Sequence, residues 1–177
     1  MKKIAFLAFG LAFSFNAFAA SIVEDIAAQG KQSYLSKTIT NQQLADMIRD
    51  NEDVTAANTL TYSECGKTIF LNSATEFATT LPSPVAGCYF KFIVKAAPVG
   101  ANYTIVTSGG ADILIGGVNE LEVDTSDDGP YDDNADVITF IASTALVGDY
   151  VEMISDGTSW YFVGQTNADG GITTGTT

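Results

Sequence analysis

The sequence predicts an all-β fold, an antiparallel β-sandwich or jelly-roll-like domain behind a short helical N-terminal arm. Three observations carry that expectation. Residues 150–155 and 159–163 are runs rich in β-branched and aromatic side chains. They flank Asp156-Gly157, a pair suited to reversing the chain because glycine takes positive φ without steric cost. From Thr59 onward short apolar runs recur between turn residues with no helical periodicity, the pattern of a sandwich or barrel rather than of βαβ units. Along residues 89–95, Phe90, Phe92 and Val94 alternate with Lys91 and Lys95, as in a strand that crosses the core.

Taken in order, residues 1–19 read as a signal peptide. Lys2 and Lys3 precede an apolar stretch, and Ala17-Phe18-Ala19 has the small-x-small form of a cleavage site. The apolar run is short for a bilayer crossing, and cleavage after Ala19 would leave about 158 residues, enough for one domain with a real core. Residues 20–58 are expected to be a helical arm and linker. Ser21 and Glu24 have capping-box spacing ahead of Ile22, Val23, Ile26 and Ala27, and Thr40 and Gln43 repeat it ahead of Leu44, Met47 and Ile48. Helices this short need a surface to pack on, either their own domain or a neighbouring subunit. Residues 52–58 then read as a polar linker.

The β-domain is expected over 59–164, with strands near 59–63, 68–72, 76–81, 89–94, 103–107, 112–115, 120–124 and 137–142 ahead of the hairpin. Pro82-Ser83-Pro84, Ala97-Pro98-Val99-Gly100, Ser108-Gly109-Gly110 and Gly116-Gly117 supply the turns. The hairpin should present Val151, Met153, Trp160 and Phe162 to one face and Tyr150, Glu152, Ile154, Tyr161 and Val163 to the other. Residues 165–177, small, polar and Gly-rich, read as a flexible tail.

Charge and composition narrow the function. The formal charge is −13, or −15 once Lys2 and Lys3 are removed, which argues against nucleic acid or anionic lipid as partner. The chain has 0 His, which removes Ser-His-Asp and Cys-His catalysis and the usual imidazole metal ligands. Cys65 and Cys88 are the only cysteines and are expected to be bridged, closing a loop of about 24 residues worth on the order of 3 kcal/mol.

The ordered fragments Gly66–Asn72, Thr80-Leu81-Pro82, Gly87–Phe92, Tyr103–Thr107, Ala111–Gly116, Ala135–Phe140 and Gly148–Tyr161 resemble a β-module found near the C-termini of tailed-phage virion proteins, of the fibre and decoration kind. The likeness covers about 59–164. It implies an all-β, non-enzymatic structural or adhesive part, often oligomeric, and brings no catalytic residues. Virion proteins usually assemble in a reducing cytoplasm, whereas this chain carries an export signal and a cysteine pair. A bacterial exported protein built on a phage-like module, such as a surface-layer, filament or matrix component, accommodates both.

Two groups of residues invite a binding role. Residues 120–136 hold eight carboxylates. Within them Asp124, Ser126, Asp128, Pro130 and Asp132 follow the spacing of an oxygen-ligand calcium loop, with Gly129 at the turn. Ala135 stands where the bidentate acid belongs, so Asp133 or Asp136 would have to substitute, and a solvated acidic loop is the simpler reading. Trp160, Tyr161, Phe162, Tyr89, Phe90 and Phe92 could form a sugar-stacking platform, although alternating aromatics on strands more often build a core.

The leading expectation is therefore a non-enzymatic exported protein, extracellular, surface-bound or periplasmic, that self-assembles or attaches at the cell exterior. It would form homo-oligomers, require no cofactor beyond an optional calcium ion, and not enter the membrane after cleavage. A monomeric carbohydrate-binding module that recognises cell-surface glycan is the alternative, and a secreted hydrolase using two carboxylates comes third.

Overall fold

The computed structural model describes residues 50–73, 75, 77–122 and 129–177. The signal peptide and both arm helices expected from the sequence lie outside these residues. The described chain forms β1 (Asn51–Val54), β2 (Asn58–Thr59), a 3-10 turn (Tyr62–Glu64), β3 (Thr68–Asn72), β4 (Phe77–Thr80), β5 (Tyr89–Ala96), β6 (Tyr103–Val106), β7 (Leu114–Glu120), β8 (Tyr131–Ala135), β9 (Val137–Phe140), β10 (Tyr150–Ser155), β11 (Trp160–Thr166) and β12 (Ile172–Gly175). One sheet has seven strands in the order β1-β3-β5-β10-β11-β7-β8, and the other has five in the order β12-β9-β6-β4-β2. The fold is an all-β sandwich, as the sequence predicts.

The pairing is mixed rather than wholly antiparallel. From β1 to β7 the chain changes sheet at every step, so β1, β3 and β5 lie side by side in parallel in one sheet while β2, β4 and β6 do the same in the other. Two sheet changes restore the original direction, which makes same-sheet neighbours parallel by construction. Residues 82–84 and 97–100, expected as turns, serve these crossings between sheets. Antiparallel pairing enters with β8–β7, β9–β6, β10–β5, β10–β11 and β12–β9.

Alternation fixes which face of each strand is buried. The seven-stranded sheet turns Ile69, Leu71, Phe90, Phe92, Val94, Val151, Met153, Trp160 and Phe162 inward. They meet Phe77, Tyr103, Ile105, Ile138, Phe140 and Ile172 of the other sheet in one continuous core. As expected, β5 is an interior strand between β3 and β10, with Lys91 and Lys95 on its outer face. Phe90 anchors two ring contacts, with Trp160 at 5.7 Å and with Phe92 at 6.1 Å between centroids. Tyr103 is buried to its hydroxyl, which donates to the Ala96 carbonyl at 2.7 Å and accepts the Ser73 N–H at 2.9 Å. Burial raises its pKa above the ordinary phenol value, the bond to the Ser73 backbone working the other way.

Five sequence expectations are corrected. The linker over 52–58 contains most of β1 and the start of β2, polar edge strands whose stability comes from pairing with β3 and β4 rather than from their own apolar content. The strand expected over 59–63 gives way after Thr59 to the 3-10 turn, where the Glu64 carboxylate accepts both the Thr61 N–H and the Thr61 hydroxyl at 2.6 and 2.7 Å. Gly116-Gly117 is not a turn but the middle of β7. There a β-carbon on Gly116, at φ 156°, would collide with the backbone carbonyl of Phe162 on the adjacent strand. Of the strand expected over 120–124, Glu120 is the end of β7 and residues 121 and 122 are not strand, while residues 123 and 124 lie outside the described residues. Finally, the tail expected to be flexible contains β12, which pairs with β9 and buries Ile172, and beyond it the Thr177 N–H and hydroxyl bond the Asp136 carboxylate at 2.8 and 2.6 Å. The β-domain thus begins before Thr59 and continues past Gly164.

Trp160 is fully buried, and its indole Nε1 has no hydrogen-bond partner among the described residues. Its contribution is therefore packing. Trp160→Ala should destabilise the fold by roughly 3–5 kcal/mol in a denaturant titration, whereas Trp160→Phe, which keeps a ring against Phe90 and removes the unpaired N–H, should cost much less. Equal losses for the two variants would contradict a packing role.

Candidate functional site

The β10–β11 hairpin sits at the centre of the seven-stranded sheet, with β10 as its middle strand. Val151, Met153, Trp160 and Phe162 face the core, so Ile154, Tyr161 and Val163 face outward and stay 50%, 44% and 46% exposed. The register sets Ile154 beside Tyr161 on one side and Tyr89 on the other, and Glu152 beside Val163 and Lys91. Tyr89, Glu152, Ile154, Tyr161 and Val163, with Met153 and Phe162, line an open groove of about 320 Å³ on this outer face. Further along the same face, the Tyr131 ring lies against Gly117 and is 73% exposed.

Each end of the groove is fixed. At the hairpin turn the Asp156 carboxylate accepts the backbone N–H groups of Thr158 and Ser159, both at 2.8 Å. The Ser159 bond is the main reason its pKa is lowered from the ordinary carboxylate value, helped by the Thr158 bond. Across the sheet the Lys91 ammonium lies 2.5 Å from the Glu152 carboxylate and 4.4 Å above the Tyr150 ring. Lys95 pairs likewise with Asp53, whose pKa is lowered mainly by that hydrogen bond. These two pairs set opposite charges side by side on the outer face.

The predicted disulfide is present. Cys65 and Cys88 are bridged with their Cα atoms 5.1 Å apart, joining the residue after the 3-10 turn to the residue before β5. Beside the bridge, the Gly87 N–H donates to the Ser155 carbonyl and the Ser155 N–H to the Cys88 carbonyl, at 2.8 and 2.9 Å. The crosslink ties the start of β5 to the 3-10 turn, while these two backbone bonds hold it, and with it Tyr89, against the end of β10.

The six candidate aromatics divide by strand alternation. Trp160, Phe162, Phe90 and Phe92 belong to the core, and Tyr161 and Tyr89 belong to the groove. Sequence reasoning missed Ile154, Val163 and Glu152 as groove residues. The signal was the polar-face half of the hairpin pattern, where two of the five residues are aliphatic.

Of the calcium-loop residues, Asp124, Ser126 and Asp128 lie outside the described residues. The Pro130 carbonyl accepts the Val118 N–H at 2.9 Å, and Asp132 accepts the Asn134 N–H at 3.1 Å within β8. Asp133 is exposed, while Asp136 is buried with its carboxylate occupied by Thr177. Among the described residues no group of three or more metal-ligating side chains converges, and no helix is long and apolar enough to cross a membrane. No protein-family model, curated protein or solved structure matches the chain.

Replacing both cysteines by serine should lower stability by about 3 kcal/mol, read as a drop in melting temperature that reductant reproduces in the wild-type protein. A melting curve indifferent to both changes would show that the crosslink does not support the fold.

Proposed function

We propose that this protein is an exported, non-enzymatic structural or adhesive component that attaches or self-assembles at the cell exterior through the outer face of its seven-stranded sheet. The observation that carries the reading is the patch of Ile154, Tyr161 and Val163, largely apolar and exposed at the middle of a sheet whose other face is the core. Such a row on a rigid scaffold is the ordinary substrate of recognition. The rest of the molecule offers a contrast. With a formal charge of −13 the chain repels copies of itself and other anionic surfaces, while on the outer face beside the hairpin Lys91 is paired with Glu152 and Lys95 with Asp53.

Export is supported by the disulfide, which persists in oxidising compartments, and by the signal-like first 19 residues. The resemblance to phage fibre and decoration modules points to the same class of role. The absence of histidine from the sequence supports a role that needs no general base of that kind.

The test is attachment by a face variant. Ile154→Gln combined with Val163→Gln should change stability by only about 1 kcal/mol, because both side chains are already half in water. The wild-type protein should be recovered on the producing cell's surface or as an oligomer by light scattering. The double variant should be found free and monomeric. Retention of the variant at wild-type levels, or a wild-type protein that is itself a freely diffusing monomer, would refute the reading.

A further inference from the structure

We infer that the groove on the outer face of the hairpin binds a neutral glycan. The inference rests on the attachment reading above and names the chemistry of what is attached.

A sugar ring has an apolar C–H face and a rim of hydroxyl groups that both donate and accept hydrogen bonds. Tyr161 and Tyr89 flank Ile154 in one cross-strand row, giving the groove a continuous apolar floor that contains two aromatic rings. In the adjacent row the Glu152 carboxylate and the Lys91 ammonium place an acceptor and a donor side by side with no net charge. Apolar floor and paired polar rim are the two halves of sugar recognition.

Charge selects among ligands. An anionic ligand approaches a chain of formal charge −13, and a cationic one finds Glu152 already neutralised by Lys91. A neutral polyol meets neither penalty. The groove volume of about 320 Å³ lies at the lower end of the small-ligand range of about 300–1,000 Å³, which suits a short stretch of glycan rather than a folded protein surface. Preorganisation favours binding as well. The Asp156 bonds to the Thr158 and Ser159 N–H groups fix the turn before Tyr161 and the Cys65–Cys88 bridge holds the residue before Tyr89, so ordering the platform on binding costs little.

The experiment uses the mature, disulfide-bonded protein on an array of neutral and sialylated glycans, followed by calorimetric titration with the most strongly retained neutral oligosaccharide. Neutral glycans should be retained over sialylated ones. Tyr161→Ala should weaken binding about tenfold and Glu152→Gln by several-fold, both with melting temperatures close to wild type. Retention of no neutral glycan, preference for sialylated ones, or wild-type affinity in Tyr161→Ala would overturn the proposal. If no glycan binds and Tyr161→Ala instead turns an oligomer into a monomer, the face is an interface between copies. The glycan proposal then falls while the attachment reading stands. Loss of neither binding nor assembly in Tyr161→Ala and in the glutamine double variant would sink both.

Discussion

The buried carboxylate of Asp149 closes the open end of the hairpin on which the sheet is built. It lies just before β10 and is inaccessible to solvent. One oxygen accepts the Leu146 N–H and the Thr166 hydroxyl at 2.8 and 3.0 Å, and the other accepts the backbone and side-chain N–H groups of Asn167 at 3.0 and 2.7 Å. A carboxylate withdrawn from water costs several kcal/mol unless donors replace the lost solvation, and here four do so. The consequence is positional. The Asp149 carbonyl also accepts the Val94 N–H at 2.9 Å, so one residue locks the ends of β5, β10 and β11 together.

At the other end of the same hairpin Asp156 organises the turn and the disulfide region pairs with Ser155. Between these two fixed ends the register cannot slip by one residue without exchanging Trp160 and Phe162 for Tyr161 and Val163 at the core. Core packing and surface pattern are thus two readings of one register. Gly116 contributes by letting β7 approach Phe162 more closely than any side chain would permit. The outer groove is rigid because the inner face is packed.

How much of this was legible depended on whether the cause was local. The hairpin, the burial of Phe90, Phe92 and Val94, and the cysteine pair follow from alternation, turn chemistry and compartment, all of which are written in adjacent residues. The parallel winding of β1 to β6 is not, since spacing between strands is the same whether the chain returns beside itself or crosses to the other sheet. β1 and β12 were hidden for a related reason. Asn51-Glu52-Asp53-Val54 and Ile172-Thr173-Thr174-Gly175 carry one core side chain each, and their strand character is supplied by β3 and β9. Asp149 was equally opaque, because its donors lie both before it and across the hairpin. The groove was half visible, for alternation separates Tyr161 from Trp160 in the sequence, but only the sheet order brings Tyr89 into the same row, across Ile154.

The hairpin is held at both ends as one unit, and native-state hydrogen exchange measures that directly. In the wild-type protein the amides of β5, β10 and β11 should exchange among the slowest in the molecule. Asp149→Ala, which removes the acceptor of the Leu146 N–H and of both Asn167 N–H groups and leaves the Thr166 hydroxyl only the Ala168 carbonyl, should cost on the order of 3 kcal/mol and accelerate exchange in β10 and β11 more than in β4, β6 and β9 of the opposite sheet. Uniform acceleration across both sheets, or protection of β10 and β11 unchanged by the substitution, would contradict it.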